Sequence, residues 1–295
     1  MSTPDRVRQD LDRLLPLIEA QLTAPFRAGE AARLAEAMRY SLEAGGKRVR
    51  PVLCLLAAES VGGAVEKALP GALALEYIHT YSLVHDDLPA MDDDDLRRGK
   101  PTCHIAFDEA HAILAGDGLL TEAFRTLAME GELEPSRRIE ALAVLAEASG
   151  WRGMVGGQAL DLEGEALSSY GLDHLKTIHR LKTGALLRAA VELGAVLGGA
   201  DPVQRQALRA YGEAIGLAFQ IQDDILDATS TDEALGKRAG KDEGRGKITY
   251  PALLGLEGAR NALREATESA LCPLASLPNP SSLEAWARYL AHRAA

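Results

Sequence analysis

The chain has 295 residues, 47% of them hydrophobic, enough for one large core or two small ones. Its formal net charge of −11 argues against a nucleic-acid partner, and the basic residues it has are clustered, as suits a small anionic ligand. Three cysteines, Cys54, Cys103 and Cys272, with no CxxC pairing, argue against a disulfide framework and point to a reducing compartment. The segment from Met1 to Asp12 is charged and lacks the apolar stretch of a signal peptide. No uncharged apolar run reaches the ~20 residues that span a bilayer. The expectation is a cytoplasmic protein with no membrane anchor.

Ala, Leu and Glu dominate and β-branched alternation is scarce, so the fold class expected is all-α. The first distinctive element is Gly45-Gly46-Lys47-Arg48-Val49-Arg50-Pro51, leading into a helix over Val52–Ser60. Glycines let backbone approach an anion, a helix N-terminus favours negative charge, and Lys47 and Arg50 can add charge-assisted hydrogen bonds. The GxxxxGK[ST] pattern of a P-loop is absent. A second helix, over Leu69–Leu88, carries His79 two turns before Asp86 on nearly the same face. It runs into His85-Asp86-Asp87-Leu88-Pro89-Ala90-Met91-Asp92-Asp93-Asp94-Asp95, followed by Arg97 and Arg98. On an ideal helix Asp86 and Asp92 would stand ~9 Å and about 120° apart. Pro89 supplies a break that ends or bulges the helix near Leu88 and brings Asp92 back toward Asp86. Asp93 to Asp95 read as caps of a following segment or as solvated residues.

Further helices are expected over Ile139–Ala148, His174–Leu197 and Pro202–Leu226. The second of these holds Lys182-Thr183-Gly184, a candidate phosphate contact. The third ends in Gln220-Ile221-Gln222-Asp223-Asp224-Ile225-Leu226-Asp227. Asp223 and Asp227 share one helix face, Asp224 lies about 100° round, and Gln220 is one turn before Asp224. The stretch from Ala228 to Thr249, with Lys237, Arg238, Lys241, Arg245 and Lys247, reads as a basic loop suited to covering a phosphate. Cys272 to Ser282, broken by three prolines, reads as another loop. No linker or internal repeat divides the chain, so residues 1–295 are expected to form a single domain.

Carboxylates crowded beside an apolar face are unfavourable unless a cation neutralises them. Oxygen-only ligands on regular backbone suit a hard divalent ion, Mg²⁺ first, which keeps water and substrate phosphate in its shell. No register fits an EF-hand. The pattern points to an enzyme handling a phosphorylated substrate.

Two aspartate-rich motifs with GGKRVRP, KTG and Gln220, in this order, resemble the trans-isoprenyl diphosphate synthases from about Ala35 onward, and most of all the bacterial farnesyl diphosphate synthases. The insertion Pro89-Ala90 in the first motif and the stretches from His79 to Pro89, Leu235 to Arg238 and Thr249 to Gly255 are similar to that branch. The resemblance implies an all-helical bundle around a deep central cavity, usually a homodimer. It implies that Asp86, Asp92 and Asp223 bind Mg²⁺, with Asp87 and Asp227 as ligands or their supporting neighbours. It assigns Arg97, Lys182, Thr183, Gln220 and Lys237 to an allylic diphosphate, and Lys47, Arg50, His79 and Arg98 to isopentenyl diphosphate. The implied reaction ionises the allylic C–O bond, lets the isopentenyl double bond attack the cation, and passes a proton to the released pyrophosphate.

In the family the floor of the cavity is set by residues at the positions of Tyr81 and Ser82. Ser82 lies one turn below Asp86, whereas Tyr81 is ~140° away, so the resemblance and not helix geometry aims Tyr81 at the pocket. A bulky Tyr81 implies arrest at farnesyl length. Rival readings are a geranyl or geranylgeranyl diphosphate synthase, a class I terpene cyclase, and a non-catalytic partner of a synthase. The Asp223–Asp227 motif and the GGKRVRP segment argue against the cyclase, and the two intact aspartate motifs argue against the non-catalytic partner.

Overall fold

Helix α1 (Thr3–Leu22) starts on a capping box: the Asp5 N–H donates to the Ser2 hydroxyl, and the Ser2 N–H donates to the Asp5 carboxylate. Its buried stripe of Val7, Leu14, Ile18 and Leu22 packs toward the centre of the protein. The computed structural model describes residues 2–27, 29–129, 131–165, 171–229 and 248–292.

Helices α2 (Ala32–Leu42), α3 (Val49–Ser60) and α4 (Val65–Asp86) follow. Both α3 and α4 are apolar on nearly every face and therefore occupy the middle of the bundle. Leu53, Leu55, Leu56 and Leu75 are almost wholly buried there. Each contributes about 1.5–3 kcal/mol relative to an exposed position. After α4 the chain makes a short antiparallel pair, β1 (Leu96–Arg97) with β2 (Lys100–Pro101). Then come α5 (Cys103–Ala106), α6 (Glu109–Met129), α7 (Pro135–Ser149), α8 (Met154–Glu165) and α9 (Leu172–His179). A π-helical turn, Arg180–Gly184, joins α9 to α10 (Ala185–Gly198). The long α11 (Pro202–Thr229), then α12 (Tyr250–Leu271) and α13 (Ser281–His292), complete the described chain. Helix α4 packs chiefly on α6, α10 on α3, and α11 on α12, around one continuous apolar cluster.

The all-α reading holds, with β1–β2 the one strand pair among the described residues. Three local expectations change. The helix expected over His174–Leu197 is interrupted by the π turn. The stretch Cys272–Ser282 is not a plain loop: Pro273 sits in the first turn of a 3₁₀ helix (Cys272–Ser276), and Pro280 immediately precedes α13. Proline costs little at a helix start, where no amide hydrogen bond is due. No helix follows Asp92–Asp95, so these residues cap nothing and instead lead into β1. Asp93 takes a left-handed conformation (φ 51°) as the chain reverses. Lys237, Arg238, Lys241, Arg245 and Lys247 lie outside the described residues.

Candidate active site

A cavity of ≈ 560 Å³ opens among α4, α6, α8 and the π turn. Leu88, Met91, Ile113, Met154, Val155 and Leu162 make its wall apolar, while Asp86, Lys182, Thr183, Arg50 and His79 bring polar groups to it. A second cavity of ≈ 700 Å³ is lined by Lys47, Arg50, His79, Arg98, Thr183 and Asp223. Arg50, His79 and Thr183 line both, so the two spaces adjoin. Asp86, at the end of α4, and Asp223, on α11, thus face neighbouring parts of one composite space. Gln220 lines an adjacent recess together with Asp161, Lys182 and Thr183.

The first acid cluster folds as Pro89 requires. Helix α4 stops at Asp86, and the Asp92 N–H then donates to the Asp86 carbonyl at 2.8 Å, while Asp94 reaches back to Asp87. Asp87 is buried, and Arg97 grips it with Nε 2.7 and 2.9 Å from its two oxygens and Nη2 at 2.6 Å. Burial pushes the Asp86 carboxyl up to about 6; Lys182 opposes this and Asp92 adds to it. Burial also raises Asp87, against the pull of Arg97. These oxygens are crowded and partly desolvated, a donor set that suits a hard divalent cation. Among the described residues no three acidic, histidine or cysteine side chains close into a cage.

Lys182 stands on the π turn, a distortion frequent at functional sites. Its Nζ donates to Asp161 Oδ2 at 2.6 Å. One helical turn earlier, Gly157 meets the backbone of the same lysine: a Cβ there would lie 2.1 Å from the Lys182 nitrogen. Helix α8 therefore locates both the main chain and the ammonium of Lys182. Sequence reasoning missed Asp161, Gln158 and Gly157. The available signal was Gly156-Gly157 inside helix-compatible sequence, which marks close backbone approach, with an acid four residues on.

On α11, Asp223 and Asp227 are half-buried, while buried Asp224 lines the recess beside Lys182 and Gln220 and accepts the Tyr250 N–H at 2.9 Å, at the start of α12. His179 stacks on the Tyr250 ring, with centroids 5.7 Å apart, and burial pushes it down to about 4, so it is neutral. Burial, then the charge of Arg50, holds His79 well below the usual histidine range, leaving a neutral imidazole among cations. Tyr81 and Ser82 both line the first cavity. The Ser82 hydroxyl is turned back on its own helix, donating to the His79 carbonyl at 2.9 Å. Lys47 is exposed at the rim of the second cavity. Lys237 lies outside the described residues.

The pattern of the polyprenyl synthetase family matches residues 31–274. A farnesyl diphosphate synthase of Geobacillus stearothermophilus is 49% identical over 267 residues, 90% of either chain. A large subunit of a heterodimeric geranylgeranyl pyrophosphate synthase of Arabidopsis thaliana is 47% identical over 94% of this chain and 76% of its own. The crystal structure of a Zymomonas mobilis FPP/GFPP synthase superimposes with a TM-score of 0.84 at 40% identity, covering 98% of both chains.

Proposed function

Because this chain belongs to the polyprenyl synthetase family and is a short-chain trans-prenyl diphosphate synthase, we propose that it condenses isopentenyl diphosphate with dimethylallyl and then geranyl diphosphate, giving farnesyl diphosphate. The observation that carries this reading is the junction of the two cavities at Arg50, His79 and Thr183, with acids on both walls and an apolar pocket below.

In this reading Asp86, Asp92 and Asp223 hold Mg²⁺, supported by Asp87 and Asp227. Bound Mg²⁺ supplies Lewis-acid stabilisation of charge on the departing pyrophosphate. Lys182, Arg97, Gln220, Thr183 and Lys237 orient the allylic diphosphate so that its C–O bond breaks with the electron pair going to oxygen. Lys47, Arg50, Arg98 and neutral His79 hold isopentenyl diphosphate at the second cavity. Its double bond attacks the allylic cation, and the proton then lost goes to the released pyrophosphate. The apolar wall keeps water from quenching the cation. Tyr81, buried beneath Asp86, limits the growing chain. The second reading, a geranylgeranyl diphosphate synthase, is favoured by the resemblance to the Arabidopsis subunit. Incubation with Mg²⁺, isopentenyl diphosphate and each allylic primer, followed by product sizing, should yield farnesyl diphosphate as the main product. A predominantly longer product selects the second reading, and no product from any primer rejects both.

The protein is further proposed to act in the cytoplasm as a homodimer. Cys54, Cys103 and Cys272 are free thiols, as a reducing compartment requires. Among the described residues no helix is long and apolar enough to cross a membrane. Leu114 on α6 is 51% exposed and Trp151, just ahead of α8, is 72% exposed, and neither lines the first cavity. Large apolar side chains exposed outside the cavity favour burial by a second copy. Light scattering should return twice the chain mass of 31.4 kDa at micromolar concentration, and a monomer there would reject the dimer.

A further inference from the structure

We propose that Arg48 is a positioning residue: with Glu76 and Glu19 it holds the turn that presents Lys47 and Arg50 to isopentenyl diphosphate, and it binds no substrate itself. This rests on the functional reading above. A guanidinium carries five N–H donors. Nε of Arg48 donates to Glu19 Oε1 at 2.7 Å. Nη1 donates to Glu76 Oε1 at 2.7 Å and, more weakly, to the Gly45 carbonyl at 3.4 Å. Nη2 donates to the Leu42 carbonyl at 2.7 Å and, more weakly, to Glu19 Oε2 at 3.5 Å. All five donors have protein acceptors, and none is left for a phosphate. Arg48 is only 4% exposed although it borders the cavity, whereas its neighbour Lys47 is exposed and Arg50 half-buried.

The backbone shows what those bonds hold in place. Arg48 precedes the first residue of α3 in a left-handed conformation (φ 46°, ψ 34°), which a non-glycine residue keeps only when its surroundings impose it. The side-chain bonds to α1 (Glu19), the end of α2 (Leu42) and α4 (Glu76) supply that constraint. The same turn is fixed from its other side. Arg98 also donates to the Gly45 carbonyl, and its guanidinium lies 2.7–3.0 Å from where a Cβ on Gly46 would be. Gly46 itself has φ 140°. Glu76 is the buried acid in a wall otherwise rich in cations, Lys47, Arg50 and Arg98. It neutralises Arg48, so that Arg48 does not compete with them for the diphosphate.

The test separates KM for isopentenyl diphosphate from KM for the allylic substrate. The charge-balanced pair Arg48→Met with Glu76→Gln avoids leaving one buried charge alone. It should raise the isopentenyl KM about tenfold or more and leave the allylic KM within about twofold, since a misplaced contact loop costs binding where it contacts. Unchanged isopentenyl KM, or an equal rise in both constants, overturns the assignment. If the pair fails to fold, Glu19→Gln weakens only the partly exposed outer clamp and should raise the isopentenyl KM alone by roughly two- to threefold. No rise there also overturns it. Parallel thermal melts identify folding losses, and wild-type enzyme inactive with every primer would instead defeat the functional reading.

Discussion

Asp86→Asn is expected to lower kcat by about a thousandfold, equivalent to roughly 4 kcal/mol of lost transition-state stabilisation, at saturating Mg²⁺. The side chain stands at the end of α4, beside the cavity that Lys182 also lines. Asparagine keeps the shape and one acceptor but removes the charge a divalent ion needs. The fold should survive. Burial has raised the Asp86 carboxyl above its ordinary 3.8 to about 6. A carboxyl raised in the folded state costs stability once pH exceeds its unfolded value, and that cost reaches its full size above the folded value. At neutral pH, then, the amide should leave Tm unchanged or higher. The same shift gives a pH signature: kcat/KM at limiting Mg²⁺ should fall as pH drops through about 6, where a proton would compete with a divalent ion for the Asp86 carboxylate. Asp223→Ala should behave like Asp86→Asn in turnover. Near-normal kcat in either variant, with Tm preserved, would remove that aspartate from the proposed metal-holding set.

Tyr81→Ala is expected to shift the main product to one or more isoprene units beyond farnesyl. Tyr81 is 6% exposed, lies edge-on to His85 with centroids 5.8 Å apart, and lines the apolar cavity. Removing a buried ring from a closed core leaves an unfilled void and destabilises. Here the vacated space joins an existing cavity, and a longer chain can fill it. Each buried methylene is worth about 0.8 kcal/mol, so an added five-carbon unit gains roughly 3–4 kcal/mol from the new room. Tyr81→Phe, which keeps the ring, should keep the product length. Product sizing decides the matter: an unchanged spectrum in Tyr81→Ala would remove Tyr81 from the floor of the pocket.

Much of this was legible in the sequence because helices announce themselves by composition and period. Pro89 made the return of Asp92 to Asp86 readable, since proline inside a helix leaves few continuations. Asp224 could be set apart from Asp223 and Asp227 by its angle on α11, and the structure gives it another task at the start of α12. What stayed hidden depended on contacts between distant segments. Asp161 reaches Lys182 across 21 positions of sequence, and no local pattern pairs them. The π turn beneath Lys182 has no compositional mark either. Arg48 looked like one more cation in a basic loop, and only its five acceptors reveal a different occupation. Proline near residue 280 was ambiguous, since it ends one element or begins another, and packing chose the second.

Helix α8 has two faces with different obligations. One side meets Lys182 through Gly157 and Asp161, and another, carrying Val155 and Leu162, walls the apolar cavity. A hydrogen-bonded rod of a few turns transmits a push with little bending. A shift of α8 is therefore felt at once by the lysine ammonium and by the apolar wall, so charge placement and pocket shape ride on a single lever, and neither can drift far without the other.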